Sequence, residues 1–546
     1  MHANLKAHAV RVGQSFHFAL DSAGARKRAM FRALSGATSR ARYPALPSAQ
    51  QGAHTLAAAR FTAYSRADCS FQRARGEHRR HRVAVFRNDR TSTASARGRR
   101  NSASSSTLDL PPEPKPIDDL CSGGSVFRLL FLAIFYLPLA IAQEHDMSHM
   151  QMGPSDPAAS DLMNLASGTS ENPQSGSLPM LMQMRAGWSF MLMGQAYVVE
   201  TQETGPRGHD KFYAPNWGMF AASHKLWGGS FQFDLMLSLE PATITNRSYP
   251  ELLQTGETAY GKPLVDEQHP HNFIMALGVH YAHRLTENAL LELYFAPVGD
   301  PALGPVAFPH RASADELPEA PLSHHWQDST HIADEVVTTG IKYGKVRLEA
   351  SGFYGTEPGE NRWVIQYGPI NSWSSRLSYF PTKNWSAQVS AGRLAKPERE
   401  EPGDIVRATA SIQYARPMQG SDWATSAIWG RNHDTFTQHN LNSYLLESVA
   451  PWRKKNFFTG RIERVDKDDL FSDQPDLEEQ LARTAGSTFR IYAYTGGYTR
   501  DIGTFQKIET GIGANFSTYS MPDAIKPYYG NHPVAVNVYL RLRLKP

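Results

Sequence analysis

Residues 230–240 read SFQFDLMLSLE, and their alternation decides the fold. Phe231, Phe233, Leu235, Leu237 and Leu239 fall on one face of an extended chain; Ser230, Gln232, Asp234 and Ser238 fall on the other. Successive side chains of a strand point to opposite faces, so a period of two makes this a strand with one apolar and one polar side. The pattern recurs. KVRLEASGFYG (345–355) sets Val346, Leu348 and Ala350 against Lys345, Arg347, Glu349 and Ser351. AVNVYLRLRL (535–544) sets Val536, Val538, Leu540, Leu542 and Leu544 against Asn537, Arg541 and Arg543. About sixteen such segments start near residues 184, 217, 229, 273, 288, 335, 345, 373, 384, 405, 422, 440, 456, 488, 507 and 533. Most are about 9–13 residues, near the length a tilted strand needs to cross a bilayer.

Alternation alone fits a soluble sandwich as well as a membrane barrel; the connections discriminate. Short ones fall at 227–229, 286–288, 344–345, 381–383, 417–422, 451–455 and 500–506. Long ones fall near 201–216, 241–272, 298–334, 356–372, 395–404, 432–439, 466–487 and 518–532. Short and long alternate down the chain, as periplasmic turns and external loops do in an outer-membrane barrel. Trp188, Trp217, Trp373, Trp385, Trp423 and Tyr379 near strand ends suit interface girdles. The expected fold is all-β: a transmembrane antiparallel β-barrel of about sixteen strands over 182–546, in the cell outer membrane, with both chain ends in the periplasm.

On this pattern the segment 182–546 resembles Gram-negative outer-membrane β-barrels of the porin kind. The resemblance implies a channel for small solutes, often a homotrimer, whose third long loop folds into the pore. One departure is the end of the chain, YLRLRLKP, where such barrels commonly close on an aromatic residue. GETAYGKPLVDEQHPH (256–271) and YFAPVGDPALGP (294–305) are also similar to segments of a family of barrel proteins from which no activity carries over.

The N-terminal quarter is of another kind. Residues 1–100 carry 20 basic against four acidic side chains, a net +16, while the remaining 446 carry 36 against 48, a net −12. Rich in Arg, Ala and Ser and without apolar periodicity, residues 1–125 are expected to be a disordered basic extension. Runs such as EHRRHR (77–82) suit nucleic acid in isolation. Ahead of an export signal they read instead as translated upstream sequence or a solvated tail, and no nucleic-acid partner is expected. Residues 126–142 look like a secretory signal: Arg128, an apolar run from Leu129, and Ala140-Ile141-Ala142 before Gln143. The run is too short to span a membrane as a helix. A true translation start near Val126 would place it at a chain end. Cys69 and Cys121 both precede the cut, so the 404 residues from 143 onward hold no cysteine, which excludes disulfides and thiolate metal sites there.

Residues 143–181 are expected to be a flexible periplasmic arm. It begins EHDMSHMQM (144–152), where His145, Met147, His149, Met150 and Met152 form a soft donor set suited to copper. In composition the arm resembles the Met/His-rich N-terminus of copper-resistance protein B; a solvated tail is the bland reading. The long loops hold a second set: His269 and His271 in VDEQHPHN, then His310, His324, His325, Asp328 and His331 in the third loop. His with carboxylates suits Zn, Cu or Ni, or a polar constriction, though HHWQDSTH matches no sharp metal motif. Prolines 297, 301, 305, 309, 318 and 321 stiffen that loop by fixing φ. A third set is expected to face the lumen: Arg347, Glu349, Arg376, Arg407, Arg461, Arg541 and Arg543, either biasing ion passage or serving as wall salt bridges. Ser323 with His324 or His325 and Asp328 offers a lipid-hydrolase alternative, without a G-x-S-x-G elbow. The sequence therefore favours a channel, with copper or other metal-ion handling as an added expectation, over a metal-sequestering barrel without conductance or a lipid hydrolase.

Overall fold

The computed structural model describes residues 156–176, 178–398, 402–418 and 421–545. The basic extension, the signal segment and the cluster His145, Met147, His149, Met150 and Met152 lie outside the described residues.

The strands are β1 (Leu181–Arg185), β2 (Trp188–Glu203), β3 (Asp210–Tyr213), β4 (Asn216–Leu226), β5 (Gly229–Leu237), β6 (Tyr249–Ala259), β7 (Lys262–Gln268), β8 (Ile274–Thr286), β9 (Ala289–Gly299) and β10 (Ala333–Tyr343). They continue as β11 (Val346–Tyr354), β12 (Ser372–Thr382), β13 (Trp385–Leu394), β14 (Ile405–Met418), β15 (Ser421–Asp434), β16 (Asn440–Trp452), β17 (Asn456–Lys467), β18 (Phe489–Phe505), β19 (Ile508–Ser520) and β20 (Val534–Leu544). Helices are short: α1 (Pro157–Met163), α2 (Glu240–Thr243), α3 (His324–Gln327), α4 (Pro475–Ala485) and α5 (Lys526–Tyr529).

Each strand from β8 to β20 pairs antiparallel with the next, and β5 pairs with both β4 and β8, so β6 and β7 stand apart as a hairpin. The sheet closes on β2. One edge of β2 pairs with β20 from Gln195↔Arg543 to Glu203↔Ala535, and β1 continues that line from Leu181↔Leu192 to Arg185↔Trp188. The other edge pairs with β4 and then β3. The two chain ends thus share one barrel position and β3 and β4 share another, which gives a closed barrel of sixteen strands. Closure removes the edges of the barrel sheet, as spanning a membrane with strands demands.

The faces are inverted relative to a soluble sheet. On β11, Arg347, Glu349 and Ser351 are buried while Val346, Leu348 and Ala350 are exposed. Leu348 is 57% exposed, Val389 53% and Ile412 54%, so apolar side chains form the outer wall. Trp227, Tyr343, Tyr379, Trp385, Trp452 and Phe505 ring the short-turn rim, all exposed. Such a surface is stable only in lipid between interfaces, which places the barrel in the cell outer membrane. Trp217, expected in an interface girdle, turns inward instead: it opposes buried Gln195 and packs 4.6 Å from the His310 ring. Two-residue turns set the register at Trp227-Gly228 (φ 50° and 75°) and Tyr260-Gly261 (φ 56° and 71°). Both residues in the left-handed region give the primed turn that matches strand twist.

Protein fills the barrel. From the short-turn end, residues 156–176 enter with α1, whose N-terminus is capped by the Asp156 carboxylate accepting from Ala158 N at 3.1 Å. Across the middle lies the loop 300–332, almost all of it buried. At the long-loop end the β6–β7 hairpin packs Leu252 and Leu253 against Leu470, Phe471, Ile525 and Tyr529 from the loops that carry α4 and α5.

Candidate functional site: the inward loop and its latch

The loop between β9 and β10 is long, Pro-rich and poor in regular structure, so its polar backbone needs partners wherever it goes. It finds them on the polar inner wall. Arg311 is fully buried; its Nε donates to Glu447 at 2.6 Å and its Nη1 donates to Asp328 at 2.8 Å and to the Val306 carbonyl at 3.1 Å. Ser313 Oγ donates to Glu447 at 2.8 Å and lies 2.7 Å from Ser426 Oγ. Further along, Ser323 N and Oγ both donate to Glu463, at 3.0 and 2.8 Å, and Gln327 donates to Ser443 at 3.0 Å.

Arg347, Arg376, Arg407, Arg461, Arg541 and Arg543 are buried, and each engages a carboxylate or the protein that fills the barrel. Arg347 reaches the N-terminal segment at Asp161 (2.7 Å) and Glu171 (2.5 Å), besides Glu292 on the wall. Arg376 pairs with Glu349 at 3.0 Å and donates to Thr169 Oγ1 at 2.8 Å. Arg407 donates to the His325 carbonyl at 2.6 Å and to Ser329 Oγ at 3.0 Å. Arg461 joins Glu447 to the carbonyls of Glu319 and Ala320. Arg541 pairs with Glu316, and Arg543 with Asp315 and, at 2.7 Å, with Glu509. The acidic partners Glu316, Glu349 and Glu447 form no motif in the sequence; strand register sets Glu349 and Glu447 beside Arg376 and Arg461, and the fold of the inward loop brings Glu316 to Arg541.

The loop histidines converge. Ring centroids run His269–His325 6.1 Å, His325–His324 5.4 Å, His324–His331 5.2 Å and His331–His271 5.4 Å. Phe308 packs between His271 and His324. Most members are held by a hydrogen bond at one ring nitrogen. His324 Nδ1 meets Asp328 at 2.7 Å, His271 Nδ1 meets Glu240 at 3.0 Å, and His331 Nδ1 meets the Asp328 carbonyl at 2.9 Å. His269 Nε2 lies 3.0 Å from Glu257, and His310 Nε2 3.0 Å from the Met236 sulfur. Burial pushes His324, His325 and His331 below the usual histidine range and His310 down to about 4, so these rings are neutral at physiological pH. Neutral rings in contact do not repel, which lets His325, His324 and His331 pack together. Ser323 Oγ bonds Glu463, apart from the His324–Asp328 pair, so the possible nucleophile and base are not joined.

No family model matches the chain, and no curated protein matches it. Among solved structures it is similar to an anion-selective porin from Comamonas acidovorans (11% identity, TM-score 0.41, covering 65% of this chain and 100% of that one). It is also similar to Salmonella typhi OmpF in complex with daunomycin (9% identity, TM-score 0.40, 66% of this chain and 100% of that one). The outer membrane channel DcaP of Acinetobacter baumannii is a third (10% identity, TM-score 0.37, 66% of this chain and 99% of that one).

Proposed function

We propose that this protein is a channel for small solutes whose conducting path is set by the 298–334 loop. The carrying observation is Arg311, fully buried and bridging the loop's own Asp328 to Glu447 on the wall. A sixteen-stranded barrel has room for a water-filled lumen. Here the loop lies across that lumen, and wall arginines hold it there. Conduction is therefore narrow and intermittent rather than that of a wide open pore, and openings follow release of the loop.

The test is a tether. Ser313 and Ser426, on loop and wall, have hydroxyl oxygens 2.7 Å apart. A Ser313→Cys, Ser426→Cys double variant in planar bilayers should lose current on oxidation and regain it on reduction. A wide, constant conductance unaffected by the tether refutes the proposal. Absence of current in wild-type protein supports the non-conducting reading instead. The same proposal includes a homotrimer, checked by cross-linking in vesicles. It also keeps residues 144–152 as a copper-binding leader on the periplasmic side, checked by copper content with and without that segment.

A further inference from the structure

One histidine of the cluster differs from the rest. His325 is 5% exposed, yet neither ring nitrogen has a hydrogen-bond partner, whereas its neighbours His269, His271, His324 and His331 are each anchored. A buried polar group without a partner costs free energy, so such a group in a native fold needs an explanation. Strain does not explain it, because the residue is firmly placed. Its carbonyl accepts from Arg407 Nη2 at 2.6 Å and Asn432 Nδ2 at 3.1 Å. Gly256 (φ +121°) passes so close that a Cβ there would stand 2.6 Å from His325 Cε1, so the hairpin backbone fixes the ring from above.

Two carboxylates from separate long loops meet this ring. Glu357 follows β11 and Glu398 follows β13, and Glu357 N donates to the Pro397 carbonyl at 2.8 Å, joining the two loops. One ligand atom each from His325, Glu357 and Glu398 lie within 4.8 Å of one another.

We propose that His325, Glu357 and Glu398 form a binding site for a divalent transition-metal cation, with zinc the best match. One imidazole and two carboxylates without thiolate is a borderline donor set that zinc accepts. Three protein ligands leave a position open to water or to a passing ligand. The ion ties the β11–β12 and β13–β14 loops to α3 of the inward loop. The site stands whether or not the barrel conducts.

The experiment is zinc titration of the purified full-length protein in detergent after chelator treatment, read by bound zinc and by calorimetry, beside Glu398→Gln and His325→Gln. Folding of each variant is checked by heat-dependent gel mobility. Expected is a zinc site present in the wild type and weakened at least tenfold in both variants, with His271→Gln retaining it. Binding that is unchanged in Glu398→Gln and His325→Gln, or absent from the wild type, overturns the proposal. Loss in His271→Gln equal to that in His325→Gln overturns the ligand assignment.

Discussion

Replacing Arg311 by alanine removes the centre of the latch and leaves the barrel wall untouched. Arg311 holds Glu447 at 2.6 Å and Asp328 at 2.8 Å, and its side chain is fully buried. Breaking a buried ion pair by deleting one partner costs about 3–5 kcal/mol, because a charge is left buried and uncompensated. Both orphaned carboxylates keep secondary partners here: Arg461 lies 3.1 Å from Glu447, and His324 lies 2.7 Å from Asp328. The lower end, about 3 kcal/mol, therefore applies. At about 1.4 kcal/mol per decade, the equilibrium between latched and released loop shifts roughly a hundredfold. No ladder hydrogen bond is lost, since Arg311 belongs to no strand. Single-channel recording should show open probability raised by that order in Arg311→Ala, while heat-dependent gel mobility still reports a folded barrel. A folded variant with unchanged open probability refutes the reasoning, because the loop would then not control the path.

Asp300, at the start of the inward loop, has its carboxyl pushed by burial from 3.8 up to about 8. An acid raised in the folded state adds stability below its ordinary value that is lost as pH rises through the folded one. Loop packing should loosen progressively from about pH 4 to 8, and Asp300→Asn should flatten that part of the open-probability profile. On the outer wall, Ile412→Arg should lower unfolding free energy in vesicles by about 2–4 kcal/mol if the residue sits near the bilayer midplane. A change within about 0.5 kcal/mol, as expected on a watered surface, refutes the lipid-facing assignment.

The barrel was legible in the sequence because its determinants are local. Period-two alternation and the short-long rhythm of connections place strand starts within a few residues, as at 229, 405, 440 and 456. The hairpin β6–β7 was hidden because its pairing slips between Pro250 and Thr258, with Leu253, Gly256 and Glu257 at positive φ. Those irregularities destroy alternation, and the segment reads as a long loop. β1 and β3 were hidden for another reason: each completes a barrel position shared with a second stretch of chain, and no local pattern encodes that. The histidine-rich loops stood out by composition, but their convergence rests on contacts between residues 269–271 and 324–331. The partners of the lumenal arginines were unreadable, since Glu316 and Arg541 are opposed only once the barrel closes.

Two different forces fill this lumen, and they respond differently to salt. The outer cap is apolar, with Leu252, Leu253, Phe471, Ile525 and Tyr529 packed together, and burial of that kind gains a little as salt is raised with kosmotropic anions. The loop is held by charge. A buried ion pair is close to break-even against an apolar contact of the same shape, so arginine–carboxylate pairs fix where the loop sits while leaving it releasable. Such pairs would be screened if water reached them, since the Debye length falls from about 10 Å at 0.1 M salt to about 3 Å at 1 M. Arg311, Arg461 and Arg541 are at most 2% exposed, as is Glu447. Open probability, unlike conductance, should therefore hardly change between 0.1 and 1 M potassium chloride in the wild type. A steep rise with salt would mean that these charges stand in water, and the lumen would then be an open pore lined by arginines rather than a channel closed by a latched loop.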